Sequence, residues 1–164
     1  MTEFVSFTAK PLIYYDDDAS LLLGGDYYRV AESFRYYLGQ KYADQWVFVP
    51  AGTLTDLASI PRIVWNILPP SGQYGSAAIV HDRLCNTLQI TQSGKTIEIS
   101  RAKADQILGE AMEVLNVPWI KRVLISGAVR MYRIVSRTNQ PVISQLQLKL
   151  ERDWVRAIPP VYDN

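Results

Sequence analysis

The residues best suited to chemistry centre on the dipeptide His81-Asp82, which contains the sole histidine of the chain. With helical spacing, His81 shares an apolar stripe with Leu84 and Cys85. Asp105 lies at the edge of the apolar stripe on the next predicted helix, so packing of the two stripes brings its carboxylate to the imidazole. A carboxylate bonded to one ring nitrogen fixes the tautomer and makes the other nitrogen a better base. We therefore predict His81 and Asp105 as the catalytic pair of a general-base reaction on water.

Two further carboxylates are candidate metal ligands, Asp82 and Asp56. Asp82 points about 100° round the helix from His81 and is predicted to bind a hard cation such as Ca²⁺, together with carbonyl oxygens from residues 72–75. Asp56 is a second ligand of that cation or a hydrogen-bond partner of the His81 helix. A cation here would polarise a carbonyl group and stabilise the developing oxyanion. The enzyme class this pattern indicates is a metal-assisted hydrolase, with calcium as the candidate cofactor.

Alternatives without catalysis remain open for each of these residues. His81 also suits a hydrogen-bonded core histidine with Asp105 as its structural partner. Ser59 and Asp56 follow a predicted buried strand, in a loop position that often carries function, but Thr55 or Asp56 equally suits the N-cap of a helix starting near Ser59. Cys85 lies one turn after His81, where it is either a thiolate partner or inert packing. The residues alone leave open whether the protein is an enzyme.

The elements that must position these residues indicate an α+β fold. Aromatic, β-branched and short apolar runs predict an N-terminal antiparallel β meander, with the acidic run at residues 16–18 and the glycines at 24–25 as turns. The predicted strands cover residues 4–8, 12–15, 28–37 and 46–49. Apolar residues at helical spacing then predict three helices, over about residues 76–88, 100–115 and 119–137. A small hairpin around Ser93-Gly94 connects the first two helices.

The third helix is predicted to have an apolar side facing inward and a basic side facing outward. The basic side suits a solvated surface or a docking site for an acidic partner. The inward residues are Ile120, Leu124, Gly127, Met131 and Ile134, and the outward ones are Arg122, Arg130, Arg133 and Arg137.

Length and charge limit the remaining possibilities. The 164 residues carry a formal net charge of +1, which favours one globular domain and gives no reason to expect nucleic acid as a partner. Residues 1–140 are predicted to form this α+β domain, and residues 141–164 a C-terminal extension that suits either a strand or a helix. The single cysteine favours a reducing compartment, and no apolar run is long enough to predict a signal peptide or a transmembrane segment.

Three blocks of the sequence resemble one family. The string FVPAGTLTDLASIP at residues 48–61, AAIVHD at residues 77–82 and the pair Ala104-Asp105 resemble the phage-associated domain of unknown function 1353 family, over roughly residues 10–135. The resemblance implies a bacteriophage origin and no settled activity. It therefore predicts a virion protein of the tail, neck or baseplate that acts through protein interactions. Its partners would be other virion proteins, bound through residues 141–164, and its location the virion or the host bacterial cytoplasm.

A more distant resemblance concerns mechanism. The helix pair carrying His81, Asp82 and Asp105 looks like the core of phospholipase A-two domains, especially the compact versions in parvovirus capsids. It implies that His81 is the base, Asp82 holds calcium and Asp105 orients the histidine, as in a calcium-dependent esterase or phospholipase. The sequence departs from that pattern at Cys85, where a tyrosine is expected, and matches the glycine-rich calcium loop only loosely at residues 70–75. A third class, an accessory protein acting on a host factor inside the cell, also remains open.

Overall fold

The computed structural model describes residues 6–57 and 74–158. They form the predicted α+β fold, in which two antiparallel sheets and a group of helices enclose a common core. The part of the predicted first strand before Ser6 and the predicted helix start near Ser59 lie outside these residues. No helix in the described part of the chain is long and apolar enough to cross a bilayer.

The first sheet has three strands in the order β1-β2-β5. Strands β1 (Ile13–Tyr15), β2 (Tyr28–Val30) and β5 (Leu54–Thr55) pair antiparallel. Between β1 and β2 lies helix α1 (Asp17–Leu23), where a turn had been expected from the acidic run. That prediction was wrong because Asp16 accepts a hydrogen bond from the backbone N–H of Ala19, which makes it the N-cap of a helix.

The second sheet has four strands in the order β3-β4-β6-β7. Its strands are β3 (Phe34–Tyr37), β4 (Gln45–Val49), β6 (Gln89–Gln92) and β7 (Lys95–Glu98). The aromatic run at residues 28–37 therefore supplies two strands, β2 and β3, to different sheets rather than one continuous strand. The predicted hairpin is present as β6 and β7, and both Ser93 and Gly94 have the positive φ values that a tight turn of this kind requires.

Helices α2 (Gly75–Thr87) and α3 (Arg101–Val114) lie where the sequence predicts them. Ser100 caps α3 by accepting a hydrogen bond from the backbone N–H of Lys103. The predicted stripe of α2 with His81, Leu84 and Cys85 is buried. The apolar stripe of α3 beside Asp105 is buried at Ala104, Ile107, Leu108, Ala111 and Met112, with Leu115 partly buried. The two stripes pack on each other, and the hairpin between them brings the chain back to begin α3.

Helix α4 (Trp119–Ser136) packs on α3 with a different side than the one predicted. Its buried residues are Ile125 and Val129, whereas Ile120, Leu124, Met131 and Ile134 are exposed. The prediction of its inward side was wrong because Arg133, assigned to the solvated side, pairs with Asp105 of α3. This ion pair and Val129, one turn before it, define the inner side.

The C-terminal extension forms helix α5 (Gln145–Ala157), which settles its secondary structure as helix. Gln147 Nε2 donates to the carbonyl oxygen of Leu54 at 3.2 Å, and the Leu54 N–H donates to Glu151 Oε1 at 3.0 Å. Trp154 lies so close to Gly52 that a Cβ there would be 2.6 Å from its ring. One side of α5 therefore covers β5, an edge strand that would otherwise expose its backbone.

Candidate functional site

A cleft of about 480 Å³ opens where α2, α3, α4, α5 and β5 meet. This volume is sufficient for a small organic ligand. Helices α2 and α3 and the end of β5, which carry the predicted site residues of the described part of the chain, all contribute to its lining. The lining side chains include His81, Asp82 and Cys85 from α2, Arg101 from α3, Tyr132 from α4, Gln147 from α5, and Tyr27, Thr55 and Asp56.

The predicted pair of His81 and Asp105 is formed. The distance from His81 Nε2 to Asp105 Oδ1 is 3.0 Å, and the imidazole is 2% exposed. The second carboxylate oxygen of Asp105 accepts a hydrogen bond of 2.7 Å from Arg133 Nε. Asp105 is therefore held from two sides, by a ring of α2 and a guanidinium of α4, and cannot rotate without breaking both bonds.

The charge state of Asp105 follows from these contacts. Burial opposes ionisation of the carboxyl, but the hydrogen bonds from His81 and Arg133, together with the positive charge of Arg133, outweigh it and keep the pKa of Asp105 below its ordinary value of 3.8. The carboxylate is thus an acceptor at neutral pH, which requires His81 Nε2 to be the donor. In the neutral ring, this donor role places the proton on Nε2 and the lone pair on Nδ1.

Cys85 lies beside the imidazole, with its Sγ at 3.5 Å from Nε2 and 3.7 Å from Nδ1 of His81. Burial raises the pKa of this thiol, more strongly than the nearby Arg101 lowers it. A thiol that stays protonated is a poor nucleophile and a poor metal ligand. The environment of Cys85 therefore favours packing against the ring over the thiolate partnership that its spacing left open.

Asp82 and Asp56 lie on the β5 side of the cleft. Thr55 Oγ1 donates a short hydrogen bond to Asp82 Oδ2 and accepts one from the Leu57 N–H at 3.2 Å. Asp82 thereby ties α2 to the end of β5 and to Leu57, which has a left-handed φ of 53°. Tyr27 lies near both carboxylates. Burial, and then the negative charges of Asp56 and Asp82, raise the pKa of its phenol.

The cleft does not contain a complete calcium site built from the described side chains. Both candidate ligands, Asp56 and Asp82, line it. However, no group of three His, Cys, Asp or Glu side chains within residues 6–57 and 74–158 could hold a metal ion. Residues 72–73 of the loop predicted to add carbonyl oxygens lie outside the described part, as does Ser59.

Three contributors were not identified as site residues from the sequence. Gln147 belongs to an extension that had been regarded as a separate interaction segment, and Arg133 had been assigned to a solvated stripe. The sequence does contain a signal for Arg101. This residue occupies the first turn of α3, where a positive charge opposes the helix dipole, and such a placement calls for a reason beyond helix stability.

Comparison with known proteins identifies one family. The chain matches the family described as Protein of unknown function (DUF1353) over residues 28–129, well over half of its length. The matched region includes the strands from β2 onward, all of α2 and α3, and the part of α4 that contains Ile125 and Val129. No curated protein and no solved structure matches the chain.

Proposed function

The chain belongs to the DUF1353 family, and we propose that it is a hydrolase in which His81 activates water to attack an ester. The observation that carries this proposal is the 3.0 Å contact between His81 Nε2 and Asp105, at the wall of a cleft large enough for a substrate. This contact supports a tautomer with the proton on Nε2 and the basic lone pair on Nδ1. A neutral imidazole oriented by a carboxylate is a competent general base at neutral pH.

The reaction uses the residues as follows. A water molecule adds to the ester carbonyl while His81 Nδ1 takes its proton, and the carboxylate of Asp105 stabilises the imidazolium that forms. The tetrahedral intermediate then breaks its bond to the alkoxide, which takes the proton back from Nδ1. Arg133 acts through Asp105 as a positioning residue, because its 2.7 Å hydrogen bond fixes the carboxylate. The products are a carboxylic acid and an alcohol.

The test is hydrolysis of a panel of carboxylic and phospholipid esters by the purified protein, with and without added calcium. We expect His81→Gln to lower kcat by about 10³-fold or more, because it removes the base. Cys85→Ala should retain activity, because the mechanism does not use the thiol. Circular dichroism and thermal melting confirm that both variants fold.

Three results would contradict the proposal. Activity that survives His81→Gln would exclude the histidine as base, and activity that depends on Cys85 would indicate a thiol nucleophile. A folded protein inactive on every ester with and without calcium would exclude esterase chemistry on the panel's substrate classes. Activity that requires calcium would retain His81 as base and add the metal role predicted for Asp82 and Asp56.

A second candidate function, a virion protein of a bacteriophage, is favoured by an exposed apolar surface on α4. We define the α4 outer face as Trp119, Ile120, Val123, Leu124, Met131, Ile134 and Val135, all of them exposed. With about 100° per residue these side chains cover one side of the helix, opposite Ile125 and Val129. Contiguous apolar surface of this kind marks an interaction site. On the extension, one side of α5 is covered, which leaves Leu146, Val155 and Ile158 exposed for a partner.

Mass spectrometry of purified phage particles tests this candidate. The protein should be present in the particles, and Leu124→Glu should remove it without unfolding it. Leu21→Glu is the matched control, because Leu21 is an exposed leucine on α1 and its replacement should leave incorporation unchanged. Absence of the wild-type protein from particles, with capture of a host protein from infected cells, would favour the accessory role instead.

A further inference from the structure

Arg101 is a buried cation in the wall of the cleft that lacks hydrogen bonds from its inner guanidinium atoms. The residue is 8% exposed. Its Nε and Nη1 atoms are both buried, and neither has a hydrogen-bond partner among the described residues. The other arginine at this site, Arg133, shows the contrast, since its Nε is bonded to Asp105 at 2.7 Å.

An arrangement of this kind is unfavourable unless something else completes it. Removing a guanidinium from water without a paired acceptor costs free energy, so buried arginines are normally paired. Arg101 also begins α3, where the helix dipole disfavours a positive charge. Neither the hydrogen bonds nor the helix thus explains an arginine at this position, and its presence in the lining of the cleft indicates a role toward a ligand.

We propose that Arg101 binds an oxyanion group, carboxylate or phosphate, of the molecule that occupies the cleft. The flat guanidinium matches the spacing of two oxygens in either group, and its buried N–H donors give hydrogen bonds that water does not weaken. The Asp105 carboxylate does not compete for this role, because His81 and Arg133 already engage it. Assignment of the anion to a substrate rests on the hydrolase function proposed above, whereas the anion site itself does not.

The cleft also contains charge of the opposite sign. Asp56 and Asp82 line it together with Arg101, and Thr55 binds one oxygen of Asp82. A ligand that places its oxyanion on Arg101 and a neutral or positive group toward these carboxylates avoids repulsion between like charges. An ester that bears an acidic group at one end fits this distribution better than a neutral ester does.

Binding of inorganic phosphate and of acetate, measured by calorimetry and by the rise in Tm with anion concentration, tests the site. We expect one or both anions to bind wild-type protein, and the stronger of the two identifies the preferred oxyanion geometry. Arg101→Met should weaken that binding by about tenfold or more, the range expected for a charge-assisted hydrogen bond. Arg101→Lys should weaken binding less than Arg101→Met does, because lysine keeps the positive charge, although it lacks the paired N–H donors of the guanidinium.

A matched control and a stability readout separate ligand binding from a structural role. Arg130→Met removes the same charge from an exposed position on α4 and should leave anion binding unchanged. Without anion, Arg101→Met should keep or raise the Tm, because it removes an unpaired buried charge. Failure of both anions to bind wild-type protein, equal loss of binding in the Arg130 and Arg101 variants, or a large fall in the Tm of Arg101→Met would overturn the proposal.

His81→Gln distinguishes this inference from the proposed function. If Arg101 binds the anion, phosphate or acetate should bind this variant as well as wild-type protein, even though ester hydrolysis is lost. Preserved anion binding in a protein without hydrolase activity would remove only the proposed function. Suppose instead that wild-type protein binds neither anion and that Arg101→Met hydrolyses neutral and acidic esters as fast as wild-type protein does. That result would overturn the anion site and leave the proposed hydrolase function standing.

Discussion

Helices α2 and α3 turn their apolar sides toward the core, whereas most of the apolar side of α4 faces away from it. The helix pair buries Leu84 and Ile107 completely and encloses His81. Helix α4 buries Ile125 and Val129 and leaves the α4 outer face exposed. This orientation of α4 does not bury the largest number of its apolar side chains. It does place Arg133 on the inner side of the helix, where it pairs with Asp105. The orientation of α4 thus both completes the Asp105 pairing and leaves the α4 outer face exposed.

The sharpest test of this comparison lies within α4 itself. Ile125→Ala should lower the free energy of unfolding by about 4 kcal/mol, because it leaves a cavity against α3. Ile120→Ala, the same substitution on the α4 outer face, should change it by less than about 0.5 kcal/mol. Urea denaturation measures both values. Equal losses from the two variants would mean that the outer face is covered in solution, for example by a second copy of the chain.

The next effect concerns the ion pair that orients α4. Asp105→Ala should lower the free energy of unfolding by about 3 kcal/mol, because it leaves Arg133 and His81 without their acceptor. The control Asp153→Ala removes an exposed carboxylate that pairs with Lys149 within α5, and it should leave the urea midpoint almost unchanged. A small effect at Asp105 would show that the pair does not fix the helix.

A third variant tests whether α5 packs against the sheet at Gly52. Gly52 has a φ of 87°, and a Cβ there would overlap the Trp154 ring, so Gly52→Ala should destabilise the fold by about 2 kcal/mol. Gly39 has a nearly identical φ of 86° with open space around it. Gly39→Ala therefore reports the backbone cost alone, which should be about 1 kcal/mol. Identical losses would mean that α5 does not hold its place on β5.

The smallest expected effect is a pH dependence of stability. The pKa of Asp105 is lowered in the folded protein, so its contribution is present above the ordinary value of 3.8 and is lost as the pH falls through the lower folded value. The Tm difference between wild-type protein and Asp105→Asn should therefore shrink on acidification below pH ~4. A constant difference across that range would contradict the shift.

The parts of the molecule that local rules determine were predictable. Helical spacing placed His81 on a buried stripe and Asp105 beside the next one, and the 3.0 Å contact follows once the two stripes pack. Likewise, Ser100 and the Ser93-Gly94 turn have strong local preferences. The turn predicted at the acidic run was replaced by α1, because aspartate favours both turns and helix N-caps.

The remainder depends on contacts between distant segments. The side of α4 that faces inward is selected by Arg133 meeting Asp105, which no spacing within α4 specifies. Gln147 and Glu151 lie near the site because they form hydrogen bonds with the backbone of Leu54, at the edge of its sheet. Similarly, the missing partners of Arg101 become visible only when the side chains around it have been placed.

The tautomer of His81 is the central claim, and one spectrum measures it. Because the chain contains a single histidine, ¹⁵N-histidine labelling gives NMR signals from one imidazole only. In the neutral ring we expect the proton on Nε2 and the lone pair on Nδ1, with Asp105→Asn altering this tautomer. A proton on Nδ1 instead, or a ring unaffected by Asp105→Asn, would contradict the assignment of His81 as an oriented base.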